Sequence, residues 1–187
     1  MELLAAIASR RSVRAYAPRP VDRPTIERLI GTAVLAPNAI NAQPWAFGVI
    51  EGAERLREYS SRAKAYLLDR MAASPQLEGY RDRLADPAFN IFYGAPALIV
   101  VYARGSVPYA AGDSCMAAYT LMLAAHDAGL GTCWIGFAEP LLQTEEVKRE
   151  LGVPADCQAV APLILGYPVG EAVRVPRNPP QILFWKQ

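Results

Sequence analysis

The most informative ten residues of this chain read Ala36-Pro37-Asn38-Ala39-Ile40-Asn41-Ala42-Gln43-Pro44-Trp45. Two prolines enclose three amide side chains, a composition typical of a tight turn. The apolar run that starts at Trp45 predicts a buried strand over 45–50. Before the turn, Asp22-Arg23-Pro24-Thr25 is typical of a helix start, and apolar residues at helical spacing continue that helix to about Ala36.

The rest of the chain alternates predicted helices and strands. The spacing of apolar residues and the positions of glycine and proline predict strands at 97–102, 132–137 and 158–166. They also predict a short helix at 2–9, helical faces within 52–86 and an amphipathic helix at 139–151. A further apolar helix is predicted to be capped by Gly112-Asp113-Ser114 and to end near 128. Neither a Gly-x-Gly-x-x-Gly motif nor a P-loop is present. This order disfavours a dinucleotide-binding fold and favours an α+β sandwich, with residues 1–187 as a single domain.

Composition argues against several classes of function. The chain has 187 residues, 52% of them hydrophobic, and a formal net charge of +1, so its overall charge does not favour nucleic acid or an anionic membrane surface. The N-terminus lacks the features of a signal peptide, and no apolar run is long enough to span a membrane. Three cysteines without a Cys-x-x-Cys pair and a single histidine argue against a zinc site or a disulfide framework. We therefore expect a cytoplasmic protein with reduced thiols and no bound metal.

A cluster of cations lies upstream of the turn, at Arg10-Arg11-Ser12-Val13-Arg14. The guanidiniums of Arg10, Arg11 and Arg14 can donate charge-assisted hydrogen bonds to a phosphate, and Ser12 adds a further donor. The alternative is that these arginines bind the free carbonyl groups at the end of the preceding helix. The string on its own favours the second interpretation.

The amide side chains of the 36–45 turn also allow two interpretations. Asn41 and Gln43 each carry a donor and an acceptor, the combination that the pyrimidine edge of an isoalloxazine requires. Alternatively, Asn38, Asn41 and Gln43 fix their own loop by hydrogen bonds. Considered together with a phosphate site at the arginine cluster, the turn indicates a binding site for flavin mononucleotide (FMN).

Two further segments carry candidate ligand contacts. Glycines in the segment from Gly129 to Gly136 permit close approach of the backbone to a flat ligand, although the same pattern is typical of an ordinary helix-to-strand turn. Arg174 and Arg177 are either additional ligand contacts or ordinary surface charges. The chain ends on Ile182-Leu183-Phe184-Trp185, and we expect so apolar a tail to pack on another surface, with a partner subunit as one candidate.

These segments, in this order, resemble the FMN-dependent nitroreductase family. The resemblance covers nearly the whole chain and rests on Arg10-Arg11-Ser12-x-Arg14, on Pro37 with Asn41-x-Gln43-Pro44-Trp45, on Gly129-Leu130-Gly131-Thr132-Cys133-Trp134-Ile135-Gly136, and on Gly166-Tyr167-Pro168 with Pro176-Arg177-x-Pro179. The chain departs from many members at Asn178, where they carry lysine, and at Phe137, where they carry a second glycine.

The resemblance implies an intertwined homodimer whose subunits are three-layer sandwiches, each with a central, mainly antiparallel sheet flanked by helices. One FMN would be held at each end of the subunit interface. The implied contacts are Arg10, Ser12, Arg14, Arg177 and the backbone of Trp134, Ile135 and Gly136, with Arg11 and Gln43 as further candidates, and residues matching Pro37, Asn38, Ala39 and Asn41 from the other subunit. The C-terminal arm, about 171–187, would extend onto the partner.

The implied activity is a ping-pong reaction in which NADH or NADPH delivers hydride to flavin N5 and an electron-poor acceptor, such as a nitroaromatic or a quinone, then takes it. The flavin carries the redox chemistry, so no catalytic side chain is required. The alternatives are a non-enzymatic FMN-binding or sensory dimer, a specialised relative that cleaves a flavin or dehalogenates an aromatic, and a structural dimer without a cofactor.

Overall fold

The structure is a computed structural model that describes residues 2–71, 75–105, 107–170, 173 and 175–187. Its helices are α1 (Leu3–Ser9), α2 (Arg23–Ala33), α3 (Ala53–Asp69), α4 (Arg81–Ala85), α5 (Ala110–Asp127), α6 (Glu139–Leu142) and α7 (Glu145–Leu151). Its strands are β1 (Trp45–Glu51), β2 (Ala97–Arg104), β3 (Gly131–Trp134) and β4 (Cys157–Gly166), and short 3-10 helices lie at Ala39–Asn41, Pro75–Tyr80 and Gly136–Ala138. Within these ranges, no helix is long and apolar enough to cross a membrane.

The described strands form one sheet in the order β1-β2-β4-β3, and every pairing is antiparallel. A register shift between Val101 and Tyr102 marks a bulge where β2 meets β4. Beyond β3, the segment that follows α1 extends the sheet, because Ser12 forms a parallel bridge to Thr132. This segment carries the arginine cluster, so the cluster lies on the outer edge of β3.

Helices cover both faces of the sheet because its strands are apolar on both sides. Along β2, the side chains of Leu98, Val100 and Tyr102 enter one core with α3, α4, α6 and α7, while Ile99 and Val101 enter a second core with α2 and α5. The expected three-layer sandwich with a mainly antiparallel sheet is confirmed. The intertwined homodimer stays a prediction, since the structure contains one chain.

The predicted start of the apolar helix is wrong. Tyr109 is the N-terminal cap of α5, so Gly112, Asp113 and Ser114 lie inside the helix instead of capping it. The Asp113 carboxylate accepts a hydrogen bond from the backbone N–H of Ala39 at 3.2 Å. That contact ties the 36–45 turn to the first turns of α5.

The predicted helix at 139–151 is two helices, α6 and α7. The Gln143 side chain marks the break, because it bonds both backbone groups of Ala159 in β4, donating to the carbonyl at 3.0 Å and accepting from the N–H at 3.1 Å. Thr144 then caps α7 by accepting the N–H of Val147. The predicted strand at 132–137 is also shorter, since β3 ends at Trp134 and a 3-10 turn follows.

Gly131 is a point of close packing between β3 and the segment after α1. A Cβ added there would lie 2.7 Å from Val13 side-chain atoms. We therefore expect Gly131→Ala to lower the free energy of unfolding by about 1–3 kcal/mol, the usual penalty for overpacking, as measured by urea denaturation. Gly31→Ala on α2 is the matched control, because its Cβ meets nothing within 4 Å and alanine is the better helix former. A Gly131→Ala variant as stable as wild type would contradict this packing.

Candidate functional site

A cavity of about 370 Å³ lies beside β3 at the edge of the sheet. Its lining includes the predicted site residues Trp134, Ile135 and Gly136, which follow one another at the end of β3. Apolar side chains from α3, from the 75–80 segment and from the loop before β2 form the opposite wall. Among the described lining residues, Arg14 carries the only charge, so the cavity suits a flat apolar molecule with a negative group near Arg14.

Strand-like pairing sends alternate residues of the arginine cluster to opposite sides. The Val13 N–H donates to the Thr132 carbonyl at 2.9 Å and fixes the register. Arg10, Ser12 and Arg14 lie on the side of the Cys133 thiol, next to the cavity. These three predicted residues are therefore brought together with the turn after β3.

Arg11 lies on the other side of this segment, in a separate cavity of about 350 Å³ that His126 also lines. Its guanidinium donates hydrogen bonds to the carbonyls of Ala8 and Arg10, both at 2.7 Å. Arg11 thus binds free carbonyl groups at the end of α1, as the alternative interpretation of the cluster proposed. Its expected cofactor contact stays a prediction without support from this geometry.

The guanidinium of Arg10 has buried N–H groups without a partner. Both Nε and Nη1 are shielded from solvent, and neither has an acceptor among the residues that the structure describes. Leaving a buried donor unpaired costs on the order of 1–3 kcal/mol, and more when the group is charged. An anion bound beside Arg10 would remove that penalty, which makes Arg10 the strongest anion-binding candidate among the residues that the structure describes.

Cys133 forms a neutral part of the cavity wall. Burial raises the pKa of its thiol, and the neighbouring Arg14, Ser12 and Arg10 oppose that rise only in part. The thiol therefore stays protonated at neutral pH and is not an activated nucleophile. Over the described ranges, no group of three or more His, Cys, Asp or Glu side chains could hold a metal ion.

The turn after β3 presents two free backbone donors. The Ile135 N–H is already used, because it donates to the Pro162 carbonyl at 2.8 Å. The N–H groups of Gly136 and Phe137 begin the 3-10 turn and have no acceptor in the part of the chain that the structure describes. At the edge of a flat ligand, Gly136 and Phe137 are therefore the available donors.

The amide turn is closed by its own side chains. Asn38 Oδ1 accepts the Gln43 N–H at 2.9 Å, and Gln43 Nε2 donates to Asn41 Oδ1 at 3.2 Å. Ile40, Asn41 and Gln43 all have positive φ, between 46° and 54°, a conformation that costs of order 1 kcal/mol for each such residue. Ile40 is also 91% exposed. Backbone strain of this kind is found mostly at functional sites and ligand contacts.

The amide turn and the arginine cluster lie at opposite corners of the sheet. One row across the sheet contains Ser12, Thr132, Leu165, Ala97 and Glu51. With strands about 4.8 Å apart this row is about 19 Å wide, and the length of β1, at about 3.3 Å per residue, adds about 20 Å before the turn is reached. Residues Pro37–Gln43 therefore cannot meet the same ligand as Arg10 and Arg14 of their own chain.

The C-terminal arm, about 171–187, has a candidate arginine that bonds within the arm and apolar side chains that are mostly exposed. Among the described residues, Arg177 donates to the Val175 carbonyl at 3.2 Å and to the Pro176 carbonyl, and it is not part of the described cavity lining. The four apolar residues from Ile182 to Trp185 are 64–82% exposed. Arg174, the other candidate in this arm, lies outside the described residues.

Tyr93 is a cavity residue that the sequence patterns did not predict. It lines the wall opposite the turn after β3 and has φ of +54°, followed by Gly94 at +70°. The available signal was the string Tyr93-Gly94-Ala95-Pro96 directly before the apolar strand β2, since glycine and proline in that position mark a turn with unusual backbone angles.

The sequence of this chain is similar to a known protein family and to several of its members. The model of the Nitroreductase family matches residues 7–167. The chain belongs to the nitroreductase family. The chain is 32% identical to the 5,6-dimethylbenzimidazole synthase of Rhodospirillum rubrum over 174 residues. The aligned region covers 85% of this chain and 78% of that protein. It is 30% identical to the nitroreductase NfnB of Mycolicibacterium smegmatis over 179 residues, and this aligned region covers 79% of this chain and 75% of that protein.

Solved structures of the family share the fold. A nitroreductase from Bacteroides fragilis with bound FMN superposes with a TM-score of 0.82 at 24% identity, over 98% of this chain and 97% of that chain. The FMN-dependent nitroreductase NfnB from Mycobacterium smegmatis, in complex with NADPH, superposes with a TM-score of 0.69 at 27% identity, over 94% and 93% of the two chains. The family and the sandwich inferred from the motifs are thus confirmed.

Arg10 and Arg11 offer a matched pair of substitutions. Arg10→Met removes unpaired buried donors, so the ligand-free protein should be as stable as wild type or about 1 kcal/mol more stable, while its affinity for an anionic ligand falls. Arg11→Met removes bonds to two carbonyl groups and should lower the free energy of unfolding by about 1 kcal/mol. Urea denaturation of ligand-free protein measures both effects. If Arg10→Met is the less stable of the two, the Arg10 guanidinium is not unpaired in solution.

Proposed function

We propose that this chain is an FMN-dependent oxidoreductase that transfers hydride from NADH or NADPH, in a ping-pong reaction, to electron-poor acceptors such as nitroaromatics or quinones. The observation that carries the proposal is the pair of buried, unpartnered atoms Nε and Nη1 of Arg10, which lies near Cys133 in the wall of an apolar cavity. FMN has the two matching parts, a phosphate and a flat ring system. The NfnB complex with NADPH supports a nicotinamide donor.

Arg10, Ser12 and Arg14 would hold the charged parts of FMN. Neither arginine forms an ion pair with an Asp or Glu that the structure describes. Guanidinium groups bind phosphate through paired, charge-assisted hydrogen bonds, which fits the free Nε and Nη1 of Arg10. Arg14 faces the cavity itself, where a cation would also stabilise negative charge on a reduced ring.

The turn after β3 would hold the ring system. When bound, FMN supplies the redox chemistry, taking up hydride at N5 and passing it on. The free N–H groups of Gly136 and Phe137 would donate to the heteroatoms at the edge of the ring. The apolar wall that includes Leu77 and Ile135 would keep water away from the reacting atoms.

The proposed site needs a second copy of the chain. Because the Pro37–Gln43 turn lies at the far corner of its own sheet, its amides can serve only the FMN of another subunit. Exposed apolar residues support this pairing: Met116 and Tyr119 on α5 are 47% and 40% exposed, and the Ile182–Trp185 arm has no covering surface in one chain. A two-fold dimer with α5 at its centre would place each turn at the partner's arginine cluster.

The visible absorption spectrum of the purified protein, followed by anaerobic addition of NADH or NADPH, tests the proposal. We expect a flavin spectrum that bleaches with at least one donor and returns on addition of a nitroaromatic or a quinone. Arg14→Ala should lose flavin during purification. The control Arg57→Ala, which removes an exposed arginine paired with Glu54, should keep it.

Two results would count against the proposal, and they differ in meaning. Protein that neither carries flavin nor takes up added FMN contradicts the cofactor. Protein that binds FMN but is bleached by neither donor contradicts the oxidoreductase activity and favours a binding or sensory role.

A further inference from the structure

Two guanidiniums flank Tyr93 in the wall of the cavity. The guanidinium carbon of Arg14 lies 5.9 Å from the centre of the Tyr93 ring. Nη2 of Arg83, in the last turn of α4, donates to the Tyr93 hydroxyl oxygen at 3.2 Å. Arg83 also lies over the ring of Phe89, at 4.4 Å. Tyr93 therefore lines the cavity and also bonds Arg83, a cation that belongs to α4.

The Tyr93 hydroxyl has a free donor. Since its oxygen accepts from Arg83, its own proton is left to bond elsewhere, and it has no acceptor in the ranges that the structure describes. The residue is held in place by an edge-on contact with Phe89, with ring centres 5.9 Å apart, and by a backbone φ of +54° that a tyrosine rarely adopts. Strain of this kind persists where the surrounding structure fixes a side chain in one position.

The charge around Tyr93 is not balanced by the protein. Some arginines of the described structure have a carboxylate within 4.0 Å, as Arg62 has Glu150 and Arg81 has Glu78. Arg83 and Arg14 have no such partner among the described Asp and Glu side chains. No acidic residue lines the cavity either. A molecule that enters along this wall thus meets positive charge and a hydroxyl donor.

We propose that the Arg83–Tyr93 pair binds an acidic group on the electron acceptor, so that the preferred acceptors are aromatic rings that carry a carboxylate. This inference rests on the proposed function, because it assigns the substrate class of the same cavity. The apolar wall of Leu67, Leu77 and Ile91 takes the aromatic ring. The carboxylate accepts from the Tyr93 hydroxyl and from Arg83, while Arg10 and Ser12, on the far side near Cys133, remain for the phosphate of FMN.

The test compares 4-nitrobenzoate with 4-nitrobenzamide, which has nearly the same shape and no charge. Arg83→Gln should lower kcat/KM for 4-nitrobenzoate about tenfold, mainly through KM, because it removes one charge-assisted hydrogen bond. The value for 4-nitrobenzamide should stay within about twofold. Tyr93→Phe should act in the same direction, and Arg83→Lys should restore part of the preference by returning the charge. The flavin content of the two Arg83 variants should match that of wild type, because Arg83 is not assigned to FMN.

Arg57→Gln is the matched control for loss of a surface arginine, and it should leave both acceptors unaffected. Dissociation constants of the two compounds, measured from the change in flavin absorbance of the oxidised protein, give a second readout that does not need turnover. Affinity for 4-nitrobenzoate that is the same in wild type and Arg83→Gln overturns the inference, as does an equal loss for both compounds. A wild-type protein that NADH and NADPH do not bleach overturns the proposed function instead, and the dissociation constants still decide whether Arg83 binds the carboxylate.

Discussion

The pairing of Ser12 and Val13 with Thr132, at the outer edge of β3, is the constraint on which the proposed site depends. The Val13 N–H donates to the Thr132 carbonyl across this edge, and the missing Cβ of Gly131 leaves room for the Val13 side chain. An extended segment turns alternate side chains to opposite sides. Arg10, Ser12 and Arg14 consequently share the side of the cavity, while Arg11 faces away and binds carbonyl groups of α1. The register of this pairing thus separates the arginines that we propose to bind the ligand from one that binds backbone carbonyl groups.

Three features of the single chain are energetically unfavourable, and a bound anion together with a second subunit would explain them. Arg10 keeps buried donors unpaired, the Ile40–Gln43 turn has strained backbone, and the Ile182–Trp185 arm exposes four apolar side chains. Natural proteins depart from local rules chiefly at functional or strained sites. An anion beside Arg10 would relieve the first of these features, and a second subunit over the turn and the arm would relieve the other two.

The patterns in the sequence predicted regular elements better than tertiary contacts. β2 and β4 have both faces buried, so their side chains form continuous apolar runs that are easily recognised. The start of α5 was missed because Asp113, a good capping residue, is engaged by Ala39 from a distant part of the chain. Arg10 and Arg11 look alike in sequence, and only the strand pairing distinguishes them. Tyr93 reaches the cavity through folding of the loop before β2, which local periodicity does not encode.

The central claim is that each site is assembled from two copies of the chain, and complementation between two defective variants tests it most directly. One variant, Arg10→Met, has a damaged cluster, and the other, Asn41→Ala with Gln43→Ala, has a damaged turn. In a random mixture half of the dimers are hybrids with one intact site, so flavin binding should return to about a quarter of the wild-type level. The mixture is prepared by coexpression, and bound flavin is measured per chain. Flavin content no higher than the average of the two separate variants would contradict a site shared between subunits.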